Sequence, residues 1–157
     1  MKIKNSQGVV LKEIQLNNLI GADLQGADLS RADLQGANFS DSKGLLSSKD
    51  FIEKLGKTSD GVLCYKAFGN TDFPAPSYWK IEEGAILEEI VNSCRTNDCG
   101  CGVNVANSLK WCKENHPQAS SYYLCEIAFL DLVDTVIPYN SNGKFRASRV
   151  KLLKKLN

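Results

Sequence analysis

The sequence predicts an α+β protein made of two parts, a short coil built from a repeat and a mixed α+β domain that follows it. Residues 18–41, NLIGADLQGADLSRADLQGANFSD, have a five-residue period, and that period stops after Asp41. The turn-rich segment GKTSDG at 56–61 then marks a change of composition. Strand-like patterns and one helix-like pattern follow it, which is typical of an α+β domain. We therefore predict a capped coil over 1–58 and an α+β domain over 59–157.

The repeat consists of four consecutive blocks of the form Ala, then Asp or Asn, then Leu or Phe, then two polar or small residues. This period matches neither the 3.6-residue turn of an α-helix nor the two-residue alternation of a strand. It matches a coil with flat sides, in which each block forms one side and turns one small and one large apolar residue inward. The large inward residues are then Leu24, Leu29, Leu34 and Phe39.

The motif Ala-(Asp/Asn)-Leu-X-X resembles that of the pentapeptide-repeat family, and the resemblance implies a right-handed four-sided β-helix over residues 17–41. Four sides of five residues make a turn of about twenty residues, so the array completes little more than one turn. A solenoid buries its interior by stacking one unit on the next, and a single turn leaves that interior open. We therefore expect residues 7–16 to cap one end of the coil, and a short helix between Ser47 and Gly56 to lie across the other end.

Longer members of that family imitate the shape and charge of duplex DNA, but this repeat differs from them in the feature that such imitation needs. Its outward positions are polar or small, and they carry no acidic row. The formal net charge of the whole chain is +1, which gives no global field that would attract nucleic acid. We therefore expect duplex DNA to be neither imitated nor bound.

Length and composition indicate a cytoplasmic protein. With 157 residues and 43% hydrophobic residues, the chain has room for one ordinary globular core. No apolar run approaches about eighteen residues, and the N-terminal sequence has no signal-peptide core followed by a small-residue cleavage site. We therefore expect no membrane partner, and no motif in the sequence predicts a cofactor.

In the second part, the period of the apolar residues predicts several strands and one helix. Val62–Phe68 is rich in β-branched and aromatic residues, which favours a strand. Tyr122–Phe129 alternates cleanly between apolar and polar positions, which also favours a strand. Asn104–Asn115 is predicted to be a helix, while Ala85–Asn92 fits either a helix or a strand. Two further strands, the turn between them and a basic amphipathic tail are predicted at Thr135–Tyr139, Lys144–Arg149, Ser141–Gly143 and Val150–Leu156.

Two segments of the second part carry a resemblance of their own. They are DCGCGVNVA at 98–106 and the stretch 123–153, in which a Pro-Tyr pair precedes an Asn-Gly-Lys turn. Both segments resemble an uncharacterised domain that follows pentapeptide repeats in bacterial and phage proteins. The resemblance implies a protein of phage or prophage type, and it implies no particular activity.

The cysteine-rich stretch at 92–102, NSCRTNDCGCG, raises the question of a zinc site or a catalytic thiol. The candidate ligands are Cys94, Cys99, Cys101, Cys112 and His116. The spacing argues against zinc, because a C-x-C pair brings its two thiolates closer together than the usual zinc-binding pairs do. A Cys–His catalytic pair would require His116, the single histidine, and a lone histidine at a helix end more often complements the helix dipole. We therefore predict no metal ion and no catalytic residue.

Basic residues gather around the predicted Asn142-Gly143 turn, and they form the core of a candidate binding site. Arg and Lys bind phosphate and carboxylate oxygens, and aromatic side chains can stack on a nucleobase. The glycine-rich turn before Asn104 could present backbone N–H groups to a phosphate. The ligand-binding residues predicted on these grounds are Lys144, Arg146, Arg149, Asn104, Trp79 and Tyr139. The alternative is that the basic tail is a solvated surface and that the aromatic residues belong to the core.

These features support three hypotheses about function. The first is a non-enzymatic binding protein that modulates host defence, because its C-terminal domain sequesters or inhibits a host protein or an anionic, nucleotide-derived signal. The second is an enzyme that acts on a nucleotide or an ADP-ribose-type substrate, and the lack of a phosphate-binding motif such as GxxxxGK[ST] weakens it. The third is a structural module that forms homo-oligomers through one end of the coil.

Overall fold

The computed structural model describes residues 2–5, 10–13, 19–25, 27–29, 37–71, 74–97 and 100–156. Within these residues the chain is an α+β protein, as the sequence predicts. The strands are β1 (Lys2–Asn5), β2 (Val10–Glu13), β3 (Ala27–Asp28), β4 (Gly61–Phe68), β5 (Ile86–Glu88), β6 (Val103–Ala106), β7 (Ser121–Ala128), β8 (Lys144–Ala147) and β9 (Arg149–Leu156). The helices are α1 (Ser48–Glu53), α2 (Leu109–Asn115) and the 3₁₀ segment Phe129–Asp134.

The main element of the fold is a six-stranded antiparallel sheet with the strand order β5-β9-β7-β4-β6-β8, curled into a half-barrel. At its centre β4 and β7 pair along their full length, from Gly61 opposite Ala128 to Phe68 opposite Ser121. Both strands are rich in β-branched and aromatic residues, which pack well on a pleated surface. The core of the half-barrel includes the buried residues Val62, Cys64, Phe68, Val103, Val105, Tyr123, Cys125, Ile127, Phe145 and Leu152.

Strands β8 and β9 are almost continuous in sequence but lie in different parts of the sheet. Only Ser148 separates them, yet β8 pairs with β6 at one edge while β9 lies between β7 and β5. The curl of the sheet brings the two parts together here, where the Glu89 N–H donates to the Ser148 carbonyl at 2.9 Å. Residues that are close in sequence, such as Arg146 and Arg149, therefore belong to strands that do not pair with each other.

Helix α1 packs against the sheet, so its predicted place across the end of the coil is wrong. The Ser47 hydroxyl caps the helix by accepting a hydrogen bond from the Asp50 N–H at 3.2 Å. Phe51 meets Phe145 of β8 with 5.3 Å between the ring centroids, and Ile52 also packs against the sheet core. The apolar side of the helix is thus covered by the core of the half-barrel, where burial of apolar surface stabilises it.

The helix predicted over Asn104–Asn115 is shorter than expected, because the first of these residues form β6. The buried side chains of Val103 and Val105 alternate with the half-buried Asn104, which is the two-residue pattern of a strand. Helix α2 begins only after Ser108, whose hydroxyl accepts a hydrogen bond from the first turn of the helix. The segment that fitted either a helix or a strand contains β5.

The strand predicted over Thr135–Tyr139 does not form. The 3₁₀ segment precedes it, and Val136 makes only an isolated bridge with Arg146 of β8. The basic tail, by contrast, is a full strand of the sheet. Val150 and Leu152 of β9 are buried and alternate with exposed basic residues, so the amphipathic pattern of the tail has a two-residue period.

The described part of the repeat turns its large apolar residues inward. Leu24 and Leu29 are 1% and 6% exposed, and Phe39 is half-buried, while Leu34 lies outside the described residues. Those residues of the repeat that the structure describes do not form a β-helix. The four-sided coil over 17–41 therefore stays a prediction.

Parallel backbone contacts nevertheless join the two described ends of the repeat. Asp23 and Lys43 form an isolated parallel bridge, and the Leu24 N–H donates to the Lys43 carbonyl at 2.9 Å. At the N-terminus β1 pairs with both β2 and β3, so this hairpin is joined to the repeat. Of the cap predicted over 7–16, residues 10–13 form β2 and the others lie outside the described residues.

Each of the two hydrophobic clusters that the structure describes includes residues from both sides of the predicted domain boundary near residue 58. Leu46 and Leu55, which precede the boundary, pack in the core of the half-barrel. Tyr139, which follows it, packs in the cluster formed by the repeat. The boundary itself stays a prediction, and Tyr139 marks the place where the two parts of the chain meet.

Candidate functional site

Arg146, the central cation of the predicted binding site, is fully buried. Its guanidinium donates three hydrogen bonds to backbone carbonyls: Nε to Asn92 at 2.9 Å, Nη1 to Asn97 at 2.8 Å and Nη2 to Cys94 at 2.6 Å. The side chain therefore holds the loop 92–97 against the back of β8. In this fold Arg146 acts on the protein itself.

The other two predicted cations lie in different surroundings. Arg149, at the start of β9, forms an exposed ion pair with Glu88 of β5 at 3.2 Å. Lys144, at the start of β8, is half-buried and lies opposite Ala106 in the sheet. The structure thus does not gather the three cations around one position, because the turn that precedes β8 does not place β9 beside it.

The glycine-rich turn before Asn104 makes room for Arg146. A Cβ atom on Gly100 would lie 3.1 Å from Cζ of Arg146, and Gly102 has a positive φ of 129°. The side-chain amide of Asn104 donates to the carbonyls of Gly100 at 3.3 Å and Gly102 at 3.1 Å. The requirement for glycine here is thus explained by the close approach of a buried guanidinium.

Tyr139 lies between the repeat and the half-barrel, in contact with an arginine that the sequence analysis did not single out. Its ring packs against Phe39 of the repeat, with 4.8 Å between centroids. On the barrel side Cζ of Arg95 lies 4.1 Å from the centroid of the Tyr139 ring. Arg95 is held in place by hydrogen bonds from Nε to the Ile137 carbonyl at 2.6 Å and from Nη2 to the Leu46 carbonyl at 2.5 Å.

Two clefts open beside Tyr139. The first, of about 350 Å³, is lined by Ala27, Leu29, Gly44, Leu46, Tyr139, Asn140, Ser141 and Asn142. The second, of about 510 Å³, is lined by Ala37, Asn38, Phe39, Ser40, Arg95, Thr96 and Tyr139, and we call it the Arg95 cleft. Its volume falls in the range of about 300–1,000 Å³ of small-molecule sites, and the cleft is shallow and widely open to solvent.

The Arg95 cleft carries a positive charge, and none of its lining residues that the structure describes is acidic. Among the described residues no carboxylate lies within 4.0 Å of the Arg95 guanidinium. Partial burial lowers the pKa of Arg95 and the Tyr139 hydroxyl opposes that effect, but an arginine remains protonated at neutral pH in either case. The lining also includes neutral hydrogen-bonding groups: the side-chain Oδ1 of Asn38 accepts from the Ser40 hydroxyl at 2.7 Å.

Two further predicted site residues, Trp79 and Asn104, come together through Lys66, which the sequence analysis also missed. The ammonium of Lys66 donates to the backbone carbonyl of Asn104 at 2.8 Å. It also lies 5.2 Å from the centroid of the Trp79 ring. These three residues form a second polar cluster, inside the half-barrel and separate from the Arg95 cleft.

The cysteines divide into two environments. Cys64, Cys112 and Cys125 are buried, and burial raises the pKa of Cys64 and raises that of Cys112 to about 12, so both stay protonated. Cys94 is exposed, and its contact with the Thr96 hydroxyl at 3.0 Å lowers the pKa of its thiol. Cys99 lies outside the described residues.

Within the described ranges, no group of three or more His, Cys, Asp or Glu side chains is arranged to hold a metal ion. His116 forms the C-terminal cap of α2, where its ring packs edge-on against Trp111 at 6.0 Å. Its backbone carbonyl accepts a hydrogen bond from the Tyr122 hydroxyl at 2.7 Å.

Comparison with known proteins identifies the repeat and nothing else. Residues 18–43 match a family model described as pentapeptide repeats (8 copies). No curated protein and no solved structure matches the chain. The match ends before α1, so the resemblance of the second part to a phage domain stays a prediction. None of the described helices is long and apolar enough to cross a membrane.

Proposed function

We propose that this protein is a non-enzymatic binding protein that sequesters a small anionic, nucleotide-derived ligand in the Arg95 cleft. The observation that carries the proposal is the half-buried guanidinium of Arg95, which lies in the wall of a cleft of about 510 Å³ and has no carboxylate partner among the described residues. A partly desolvated cation of this kind binds an oxyanion more strongly than an exposed one does.

The chemistry of the lining supports a phosphate-bearing ligand. Arginine has a planar fork of five N–H donors, and phosphate oxygens accept two of them in parallel. Its hydrogen bonds to the Ile137 and Leu46 carbonyls use two of the five donors and fix the direction of the plane. Asn38, Ser40 and Thr96 add neutral polar groups that suit a sugar or a base edge.

The lining also favours capture over turnover. Those of its lining side chains that the structure describes come from Ala, Asn, Phe, Ser, Arg, Thr and Tyr, and among them is no carboxylate, thiol or imidazole. These described residues therefore offer hydrogen-bond donors and acceptors but no general base for a reaction on a nucleotide. Sequestration of a nucleotide signal by a phage or prophage protein would modulate a host defence that depends on that signal.

The proposal assigns the repeat a direct part in the site. Ala37–Ser40 forms the wall of the Arg95 cleft that faces the barrel. A right-handed four-sided coil over 17–41 would hold this wall rigidly, and the parallel bridge between Asp23 and Lys43, one twenty-residue turn apart, supports such a coil.

Replacing Asn38 with aspartate is expected to weaken nucleotide binding about tenfold, which corresponds to about 1.4 kcal/mol. The substitution keeps the oxygen that accepts from the Ser40 N–H and hydroxyl, and Asp is the other residue that the repeat uses at this position. It therefore adds a negative charge to the cleft and leaves the backbone contacts in place. Calorimetric titration with mono-, di- and cyclic nucleotides measures the effect.

Asn142→Asp is the matched control. Its oxygen accepts from the Trp111 indole N–H at 3.0 Å, which an aspartate also does, and it lines the other cleft. We expect its affinity to change less than about twofold, since a charge in the other cleft is screened by solvent. Equal losses in the two variants would show a response to net charge alone, and a wild-type protein that binds none of the nucleotides would overturn the proposed ligand class.

A further inference from the structure

Lys66 projects from β4 into the half-barrel at a place where the sheet is open. It lies between Cys64 and Phe68 on the face of β4 that supplies the core, opposite Tyr123 of β7. On its other side β4 and β6 share a single register pair, Tyr65 opposite Ala106, so the two strands part beyond it. The Lys66 ammonium reaches into this gap and donates to a carbonyl of β6 at 2.8 Å.

The surroundings of this ammonium are apolar. It lies 5.2 Å from the centroid of the Phe68 ring and 5.2 Å from that of the Trp79 ring. In the described part of the chain no carboxylate lies within 4.0 Å of it. Among the described residues, the charged or titratable groups that act on it are the thiols of Cys125, Cys112 and Cys64 and the ammonium of Lys144, and none of them is a carboxylate that balances its charge. Burial accordingly lowers the pKa of Lys66 from 10.5 to about 8.

The indole N–H of Trp79 supplies a second donor at the same place. This nitrogen is buried, and no acceptor for it exists among the described residues. An indole N–H that is buried without an acceptor destabilises the fold, because it has lost its hydrogen bond to water. Lys66 has three N–H donors, and the described residues give it the single acceptor named above. Most donors in folded proteins have an acceptor, so donors of this kind call for one beyond those that the described residues supply.

We propose that Lys66 and Trp79 form a binding site for a small oxyanion, a carboxylate or phosphate group that accepts hydrogen bonds from the Lys66 ammonium and the Trp79 indole N–H at once. The anion neutralises the ammonium of the half-buried Lys66 and satisfies the indole donor. The rings of Phe68 and Trp79 flank the site, so that the bound group is removed from water. This site is independent of the Arg95 cleft, which lies at the junction with the repeat.

The test is a pH titration of the Lys66 side chain by NMR, with sodium acetate or sodium phosphate added and sodium chloride of equal ionic strength as the reference. With a saturating oxyanion, the pKa of Lys66 is expected to rise from about 8 toward its ordinary value of about 10.5, because an opposite charge stabilises the ammonium. The salt that moves the pKa further identifies the bound group as a carboxylate or as a phosphate. If neither acetate nor phosphate moves the pKa beyond the chloride reference, the proposal is overturned.

Three variants separate this site from general charge effects. Trp79→Phe keeps an aromatic ring and removes the N–H, and it should weaken the binding of the active anion about fivefold to tenfold. Lys66→Met keeps the aliphatic stem and removes the charge. In the wild-type protein the bound anion should shift the NMR resonances of the neighbouring Tyr123 and Phe68, and in Lys66→Met this shift should disappear. Asn38→Asp, in the Arg95 cleft, should leave this binding unchanged. If Trp79→Phe binds the anion as tightly as the wild-type protein does, the indole N–H does not contact the anion, and the proposed site is overturned.

Discussion

Replacing Arg146 with methionine is expected to lower the free energy of unfolding by about 3–5 kcal/mol. The guanidinium makes three hydrogen bonds to backbone carbonyls, and hydrogen bonds to a charged group contribute about 1.5–3 kcal/mol each. The cost of burying the charge offsets part of that sum. Methionine keeps much of the volume of the side chain, so the loss reports the missing donors and not a large cavity. Urea denaturation followed by circular dichroism measures the change.

Arg149→Met is the matched control for this prediction. Arg149 and Glu88 form an exposed ion pair, and such pairs contribute less than about 1 kcal/mol. The two arginines are three positions apart and chemically identical, so the comparison isolates burial. If the two variants unfold at the same urea concentration, the hydrogen bonds from Arg146 to the loop 92–97 do not stabilise the fold.

Arg146→Met is also expected to weaken ligand binding in the Arg95 cleft. Arg95 lies in the loop that Arg146 fixes through Asn92, Cys94 and Asn97. A ligand that needs the Arg95 guanidinium would then bind less well to Arg146→Met, although Arg146 does not line the cleft. This indirect effect differs from the direct role that the sequence pattern predicts for Arg146.

The pattern around the Asn142-Gly143 turn shows why the site could not be placed from the sequence. On an extended chain, Lys144 and Arg146 point to one side, and the sequence contains nothing that says whether that side faces solvent. Burial of Arg146 depends on a loop 49 to 54 positions earlier in the chain. Contacts at that separation leave no local signal in the sequence. The three cations are therefore close in sequence, but the fold does not bring them together at one place on the surface.

Arg95 and Lys66 differ in how far the sequence could have revealed them. Arg95 takes its position from partners 42 and 49 positions away, and no short-range pattern marks it. Lys66 does have a signal, since the predicted strand Val62–Phe68 places it in phase with Val62, Cys64 and Phe68. A lysine at an inward position of a strand is costly to bury, and that cost is the reason to look for a function there.

The fold itself was predictable where a pattern is local and strong. The repeat, the strand at Val62–Phe68 and the α+β class follow from periods of five and two residues. The break between β8 and β9 at Ser148 could not be predicted in this way. A chain that passes from one part of a curled sheet to another has the same alternation of apolar and polar residues as one long strand. Helix α1 was predicted as an element but placed wrongly, since its apolar face suits any apolar surface.

Replacing Leu29 with aspartate is expected to lower the free energy of unfolding by about 3–5 kcal/mol, because it places a charge without a partner in an apolar interior. Leu29 is 6% exposed and packs in the cluster with Leu19, Ala22 and Leu24. These neighbours are apolar, so they offer an aspartate at position 29 no hydrogen bond or opposite charge. Chemical denaturation followed by far-ultraviolet circular dichroism measures the loss.

Gln25→Asp introduces the same charge on the outside of the repeat and serves as the control. Gln25 is exposed, and substitutions at such positions usually change stability by less than about 0.5 kcal/mol. The difference between the two variants therefore measures whether position 29 is inside the repeat. A Leu29→Asp protein that stays soluble and unfolds together with Gln25→Asp would remove the inward placement of Leu29, and with it the four-sided coil over 17–41. A loss confined to Leu29→Asp would place Leu29 in the interior, as that coil requires.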